Sequence, residues 1–229
     1  MKKIIVISLG GSLIVPDKIQ VHLLQNFKNV LLKNTKKYKF VVVCGGGQTA
    51  RTYIKGLEEE NILKKEYLQG LLGIASTRLN ARFMTYFFGR EANQGMPNDM
   101  KDVENLLKIH DIVFCGALRY APNETSDATS VKLARHFRTS FINLTNVSGL
   151  HDKNPLIYKN AKFIPEISHE EFYKLATQTK FKPGQHFILD QKAAKIIKKY
   201  KIPSYIIGPD LKNLDNLLND RHFIGSVIF

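Results

Sequence analysis

The sequence predicts an α/β fold, a largely parallel sheet covered by helices on both faces. Three observations predict it. Short apolar runs recur along the 229 residues, and most are separated by stretches of helical periodicity, the order that builds parallel sheets buried on two sides. Two of these runs end directly in glycine clusters. No apolar stretch approaches the roughly 20 residues of a membrane helix, so the runs read as buried strands of a soluble protein.

The elements follow in chain order. Lys3 to Leu9 is the first strand, and it stops at Gly10-Gly11-Ser12. Val21, Leu24, Phe27 and Leu31 share one helical face. Phe40 to Cys44 is the second strand, followed by Gly45-Gly46-Gly47 and a helix from about Gln48. Leu68, Leu72, Ala75, Leu79, Phe83 and Phe87 place the apolar face of a longer helix. Ile112 to Cys115, Phe141 to Leu144, Ser204 to Ile207 and Phe223 to Ile228 read as further strands. Ser168-His169-Glu170-Glu171 has capping-box spacing and starts a short helix through Leu175. Asp190 opens a helix from Gln191 to Lys199. The turn-rich stretches Gly89 to Asn98, Gly116 to Ser126, Asn146 to Pro155 and Gln178 to Gly184 are too short for linkers. They are site loops of one domain spanning residues 1–229.

Composition narrows the function. The net charge of +14 suits anionic ligands, but 26 of the 34 basic residues are lysines scattered over many segments, which disfavours a nucleic-acid surface. Cys44 and Cys115 form no Cys-x-x-Cys pair, and the seven histidines show no His-Glu-x-x-His spacing. A disulfide framework and a protein-held metal are both disfavoured, and a reducing compartment, the cytoplasm, suffices.

Both glycine clusters have the chemistry of phosphate sites. Glycine allows positive φ and close backbone approach, and the N–H groups at the start of the next helix face an anion. A Walker A loop is excluded, because no Gly-Lys dipeptide occurs. Gly45-Gly46-Gly47-Gln48-Thr49-Ala50 satisfies the dinucleotide fingerprint. The acidic residue about twenty positions on is missing, since Glu58 to Lys65 is polar and not a strand end. Arg51 lies four residues after Gly47, in reach of a phosphate gathered there.

Gly10-Gly11-Ser12, Gly45 to Arg51, Thr125-Ser126-Asp127-Ala128 and Thr145-Asn146-Val147-Ser148-Gly149-Leu150 occur in the order seen in the amino acid kinase superfamily. Leu72 to Ala81 and Ile188 to Lys195 resemble its archaeal-type uridylate kinase branch. The resemblance implies a three-layer α/β/α sandwich of carbamate kinase type. It also implies ATP and UMP as substrates, Mg²⁺ as cofactor, no membrane, and a homo-oligomer, a hexamer. Residues up to about 140 would bind the acceptor and residues from about 141 the nucleotide. ATP would be held by Gly10, Gly11, Ser12, Gly47, Arg51, Thr145, Asn146, His151 and Asn154. UMP would be held by Gly46, Gly70, Asn123, Glu124, Thr125 and Ser126, with Arg51 and Asp127 catalytic.

The chain departs from the pattern at several positions. Ser8 stands where many relatives carry a lysine, so positive charge at the reacting phosphate must come from Mg²⁺, Arg51 or another side chain, Arg119 and Lys182 being candidates. Gly70 stands where an aspartate accepts from the UMP ribose, and Gln69, Asn123 or Glu124 are candidates to replace it. His151 and Asn154 stand in place of a tyrosine and an aspartate. Two rivals share the fold: a kinase for another small phosphate or carboxylate, and a nucleotide- or anion-binding protein without turnover.

Overall fold

The sheet grows outward from the first strand. The computed structural model describes residues 2–122, 124–178 and 189–229. Strands β1 (Lys3–Leu9), β2 (Tyr38–Cys44), β3 (Ile112–Cys115), β4 (Phe141–Leu144), β5 (Glu166–Ile167), β6 (Ser204–Ile207) and β7 (Gly225–Ile228) lie in the order β3-β2-β1-β4-β6-β7-β5. All pairs are parallel except β6 with β7.

Burial on both faces explains why these strands read as continuous apolar runs. Alternate residues feed two cores. Val6, Val41, Val43, Val113 and Cys115 point to one. Ile5, Ile7, Leu9, Val42, Cys44 and Phe114 point to the other. The first core is closed by α5 (Met100–Ile109), α6 (Ser126–His136), α7 (His169–Thr177) and α8 (Gln191–Tyr200), through residues such as Leu107, Val131, Phe172 and Ile197. The second is closed by α1 (Gly11–Ile14), α2 (Val21–Asn34), α4 (Lys65–Phe88) and α9 (Leu211–Leu218), through Ile14, Phe27, Met84 and Leu214. Helix α3 (Gly47–Gly56) rides on α4 at the edge of the cleft. The result is the three-layer α/β/α sandwich expected from the sequence.

Cys44 and Cys115 fall on opposite faces as free, buried thiols, and burial pushes the Cys115 pKa up to about 12. No described helix is long and apolar enough to cross a membrane.

Several expectations change. The two-residue strand β5 is too short for a periodicity signal, and the last strand starts at Gly225 rather than Phe223. The larger change is in α4, whose buried residues are Gln69, Ser76, Thr77, Asn80, Ala81, Met84, Thr85 and Phe88. Leu79, expected inside, is 60% exposed, and Ala75 is exposed as well. The inward face of α4 is partly polar because it holds loops by hydrogen bonds, so the apolar stripe is only partly right: Phe83 and Phe87 pack on the core, while Ala75 and Leu79 face outward.

The second strand starts two residues earlier than expected, at Tyr38, and the turn-rich stretch from Gln178 to Gly184 lies, beyond Gln178, outside the described residues. The two helix-start signals hold. Ser168 and Glu171 form a complete capping box on α7, and the Asp190 side chain accepts from the Ala193 N–H at the start of α8.

Candidate active site

A cleft of about 350 Å³ opens at the carboxyl ends of the strands. Its place follows from the strand order. β2 lies on one side of β1 and β4 on the other, so the connections leaving β1 and β4 diverge and leave a crevice between them. Ser8 and the turn after β1, the turn after β2, and the loops after β3 and β4 all border it.

The floor of the cleft is backbone packed on backbone. A Cβ on Gly11 would lie 2.1 Å from the Gly47 nitrogen, and one on Gly45 would lie 2.6 Å from the Gly11 nitrogen. Gly47 has φ of +59°, a conformation costly for other residues. The two turns interlock, and only glycine fits. Asn80, buried in α4, donates to the carbonyls of Gly45 (2.7 Å) and Gly46 (3.3 Å). In a trans peptide C=O and N–H point oppositely, so Asn80 fixes the Gly46 and Gly47 N–H groups on the side away from itself.

A half-buried carboxylate stands above this floor. Asp127 Oδ1 accepts from the Ser8 hydroxyl at 2.8 Å. Burial, with the like charge of Asp190 adding to it, pushes the Asp127 pKa up to about 6, while the Ser8 hydrogen bond pulls it down. Asp190 joins two helices. Its Oδ2 accepts from the Thr125 N–H (3.1 Å), the Thr125 hydroxyl (2.7 Å) and the Ala128 N–H (3.2 Å), while Oδ1 caps α8. The Thr125 hydroxyl also accepts from the Asp127 N–H at 3.1 Å and so caps α6. Its proton is committed to Asp190, which leaves the Ser126 hydroxyl as the better placed donor to an incoming anion.

The wall on the β2 and β3 side is made by α3, α4 and the loop after β3. Arg51 borders the cleft, its Nε donates to Gln48 Oε1 at 3.0 Å, and partial burial lowers its pKa. The loop after β3 is pinned at its base: the Thr77 hydroxyl accepts from the Ala117 N–H (2.9 Å), and Arg78 donates to the carbonyls of Ala117 and Leu118 (3.2 and 2.6 Å). Gly116 also packs directly on α4, where a Cβ would lie 2.7 Å from the Arg78 nitrogen.

Most of the residues singled out by sequence meet here. Gly10, Gly11, Ser12, Gly46, Gly47, Arg51, Gly70, Thr125, Ser126, Asp127, Thr145 and Asn146 border the one cleft. Glu124 borders it too, but its carboxylate takes Lys132 at 2.6 Å and Lys192 at 3.6 Å, so it is tied up by cations and ill placed to accept from a sugar. Gln69 donates its amide to the Ile54 carbonyl at 3.1 Å. His151 and Asn154 do not border the cleft. The His151 ring meets Phe163 edge to face, centroids 5.5 Å apart, with Nδ1 on the Gly149 carbonyl. The Asn154 side chain caps its own turn by accepting from the Leu156 N–H. Asn123 and Lys182 lie outside the described residues. Arg119 borders the cleft with its guanidinium 3.4 Å from Asp99.

Sequence reasoning missed Asn80, the second role of Asp190, and Tyr120. A polar residue three positions before Phe83 and seven before Phe87, and so beside the apolar stripe of α4, was the available signal for Asn80. None existed for Tyr120, whose importance comes from tertiary contact with Gly70. Among the described residues no group of three or more His, Cys, Asp or Glu side chains is arranged to hold a metal.

The profile of the Amino acid kinase family matches residues 3–208. The chain is 33% identical to a protein of Thermoplasma volcanium called uridylate kinase, covering 100% of this chain and 98% of that one. It is 29% identical to the uridylate kinase of Thermococcus kodakarensis over 98% of each. The crystal structure of uridylate kinase from Archaeoglobus fulgidus superposes with a TM-score of 0.84 at 30% identity, covering 100% of both chains. The UMP kinase of Ureaplasma parvum, at 18% identity and TM-score 0.77, shares the fold.

Proposed function

Since the chain belongs to the amino acid kinase family, we propose that it is a uridylate kinase, an ATP-dependent phosphotransferase that moves the γ-phosphoryl of ATP to UMP and yields UDP for pyrimidine nucleotide synthesis. The observation that carries this reading is the interlocked floor of Gly11 and Gly47 at the switch point of the sheet. It gives two strand-to-helix turns a common meeting point, which is what in-line transfer between two phosphates requires. Full-length similarity to proteins called uridylate kinase supplies the acceptor.

Phosphoryl transfer demands alignment and neutralised charge more than covalent chemistry. The turn at Gly10 to Ser12 and the Gly47 amide would hold ATP phosphates, with Thr145 and Asn146 on the nucleotide side. Gly46, Arg51 and Ser126 would hold the acceptor phosphate. In this arrangement residues before about 140 serve the acceptor and those after it the nucleotide. Arg51 supplies the positive charge that Ser8 lacks, in a partly desolvated place where it acts more strongly than in water.

Mg²⁺ fits this site through Asp127. Among the described residues that carboxylate faces the neutral Ser8 and the like-charged Asp190, so a cation beside it would relieve its raised pKa. Bound with ATP, Mg²⁺ would neutralise phosphate charge. Ser8 holds the Asp127 carboxylate in place by its hydrogen bond, and Asp190 holds the acceptor loop. We also place the protein in the cytoplasm as a homo-oligomer, a hexamer.

The test is ADP formation from ATP and Mg²⁺ with UMP, CMP and AMP as separate acceptors. Preferred turnover of UMP is expected. ATP binding without turnover of any acceptor would favour a binding protein, and turnover of a non-nucleotide acceptor alone would favour the other kinase.

A further inference from the structure

The wall of the cleft has an aromatic residue where a helix side chain is missing. Tyr120 lies on Gly70, and a Cβ built there would be 2.5 Å from Tyr120 Cε2 and 3.1 Å from Cδ2. Tyr67, one turn earlier on α4, meets the same ring edge to face, with centroids 4.8 Å apart at 83°. Tyr120 borders the cleft and Tyr67 does not. The stem of its loop is held by Thr77 and Arg78, so the ring is seated on both sides. A side chain at residue 70 and the ring of Tyr120 compete for one space.

The surroundings fit an apolar contact. Ile54, Gly73, Ile74, Ala121 and Pro122 complete this wall. The Glu124 carboxylate is taken by lysines and the Gln69 amide by Ile54. The exposed Glu66, one turn before Gly70, also borders the cleft and forms no ion pair among the described residues.

We propose that Tyr120 is the specificity-determining residue of the acceptor half: its ring packs against the nucleoside of the acceptor, and the sugar hydroxyls go unread by α4. Resting on the kinase reading above, this predicts a cleft that accepts pyrimidine 2′-deoxynucleoside monophosphates alongside ribonucleotides. Contact with an aromatic ring is indifferent to a 2′-hydroxyl, whereas a carboxylate that accepts from both hydroxyls rejects the deoxy compound strongly.

Steady-state kinetics with UMP and dUMP, on wild type, Tyr120→Ala, Tyr120→Leu, Tyr120→Phe and Glu66→Gln, test it. Wild type is expected to use dUMP within about fivefold of UMP in kcat/KM, given a ring contact that ignores the hydroxyl. Tyr120→Ala and Tyr120→Leu should each raise the acceptor KM about tenfold, the low end of what an aromatic contact to a base contributes. KM for ATP should hold, and Tyr120→Phe should behave as wild type. Should Tyr120→Ala fold poorly, Tyr120→Leu keeps the bulk and removes only the ring. An unchanged acceptor KM in Tyr120→Leu overturns the inference and leaves the kinase reading intact. Strong rejection of dUMP that disappears in Glu66→Gln also overturns it, by showing that a carboxylate reads the sugar. Wild type that makes no ADP with either acceptor overturns the kinase reading itself.

Discussion

The floor of the cleft and its wall over α4 both depend on glycine, but for opposite reasons. In the floor, Gly11, Gly45 and Gly47 are small because backbone must touch backbone. In the wall, Gly70 is small because a side chain from elsewhere, Tyr120, occupies the space. The first arrangement has no room to relax, since peptide groups cannot turn away as side chains do. The second can: a substitution at Gly70 displaces the end of a loop. The floor therefore tolerates no change, and the wall is where specificity can change without loss of the fold.

The largest effect should come from the floor. Gly11→Ala puts a methyl 2.1 Å from the Gly47 nitrogen, and separating the turns should lower stability by about 3 kcal/mol or more, the upper range for overpacking. Urea denaturation of the variant measures this. A loss below about 1 kcal/mol would mean that the turns part easily and that the contrast with the wall fails. Next comes Arg51, which belongs to the chemistry rather than to the packing. Arg51→Ala should remove about 2–4 kcal/mol of transition-state stabilisation, read as a fall in kcat, while the denaturation midpoint stays in place. Wild-type turnover would remove Arg51 from the site.

How much of this was legible in the sequence divides along the same line. The glycine clusters are legible because each follows a strand and precedes a helix, so local order alone marks them. The strand order explains why they meet, and the apolar runs of β1, β2, β3 and β4 carry that information. The orientation of α4 was not legible. Its apolar residues Leu79 and Tyr86 are exposed while Asn80 and Thr77 are buried, because hydrogen bonds to the Gly45 and Gly46 carbonyls and to the loop after β3 reward polar groups there. Nor were His151 and Glu124 legible, since a ring partner, Phe163, and two lysines, the nearby Lys132 and the sequence-distant Lys192, decide their roles.

Asp127 links floor and wall, and its charge gives the third prediction. Its folded pKa of about 6 lies above the ordinary 3.8, so the folded protein favours the protonated form. Stability from this group is full below about pH 4 and is lost as pH rises through about 6. A shift of about two units corresponds to roughly 2–3 kcal/mol. Asp127→Asn should therefore raise stability by up to that amount at pH 7 while lowering kcat more than it weakens nucleotide binding. In wild type, kcat/KM should decline as pH falls below about 6, since that parameter reports the free enzyme. Urea denaturation at pH 4 and pH 7, beside a pH–rate profile, checks both. Equal stability of the two proteins at pH 7 would mean that a cation already compensates the carboxylate.

The smallest effect is expected one turn from Tyr120. Gly73 sits within α4, and a Cβ there would have Ile54 Cδ1 at 3.8 Å as its nearest neighbour, an ordinary contact. Neither backbone proximity nor a seated ring holds this position, so Gly73→Ala gains helix propensity of about 1 kcal/mol. In a chain of this length that raises Tm by roughly 2–4 °C, which thermal unfolding followed by circular dichroism resolves. The same change at Gly70 should give no such rise, because its Cβ must first displace Tyr120. Equal gains at both positions would show that the Tyr120 ring moves aside freely, and the wall would then owe its shape to the loop alone. A loss at Gly73 would place a third constraint on α4, one that acts through Ile54 and α3 rather than through the aromatic pair.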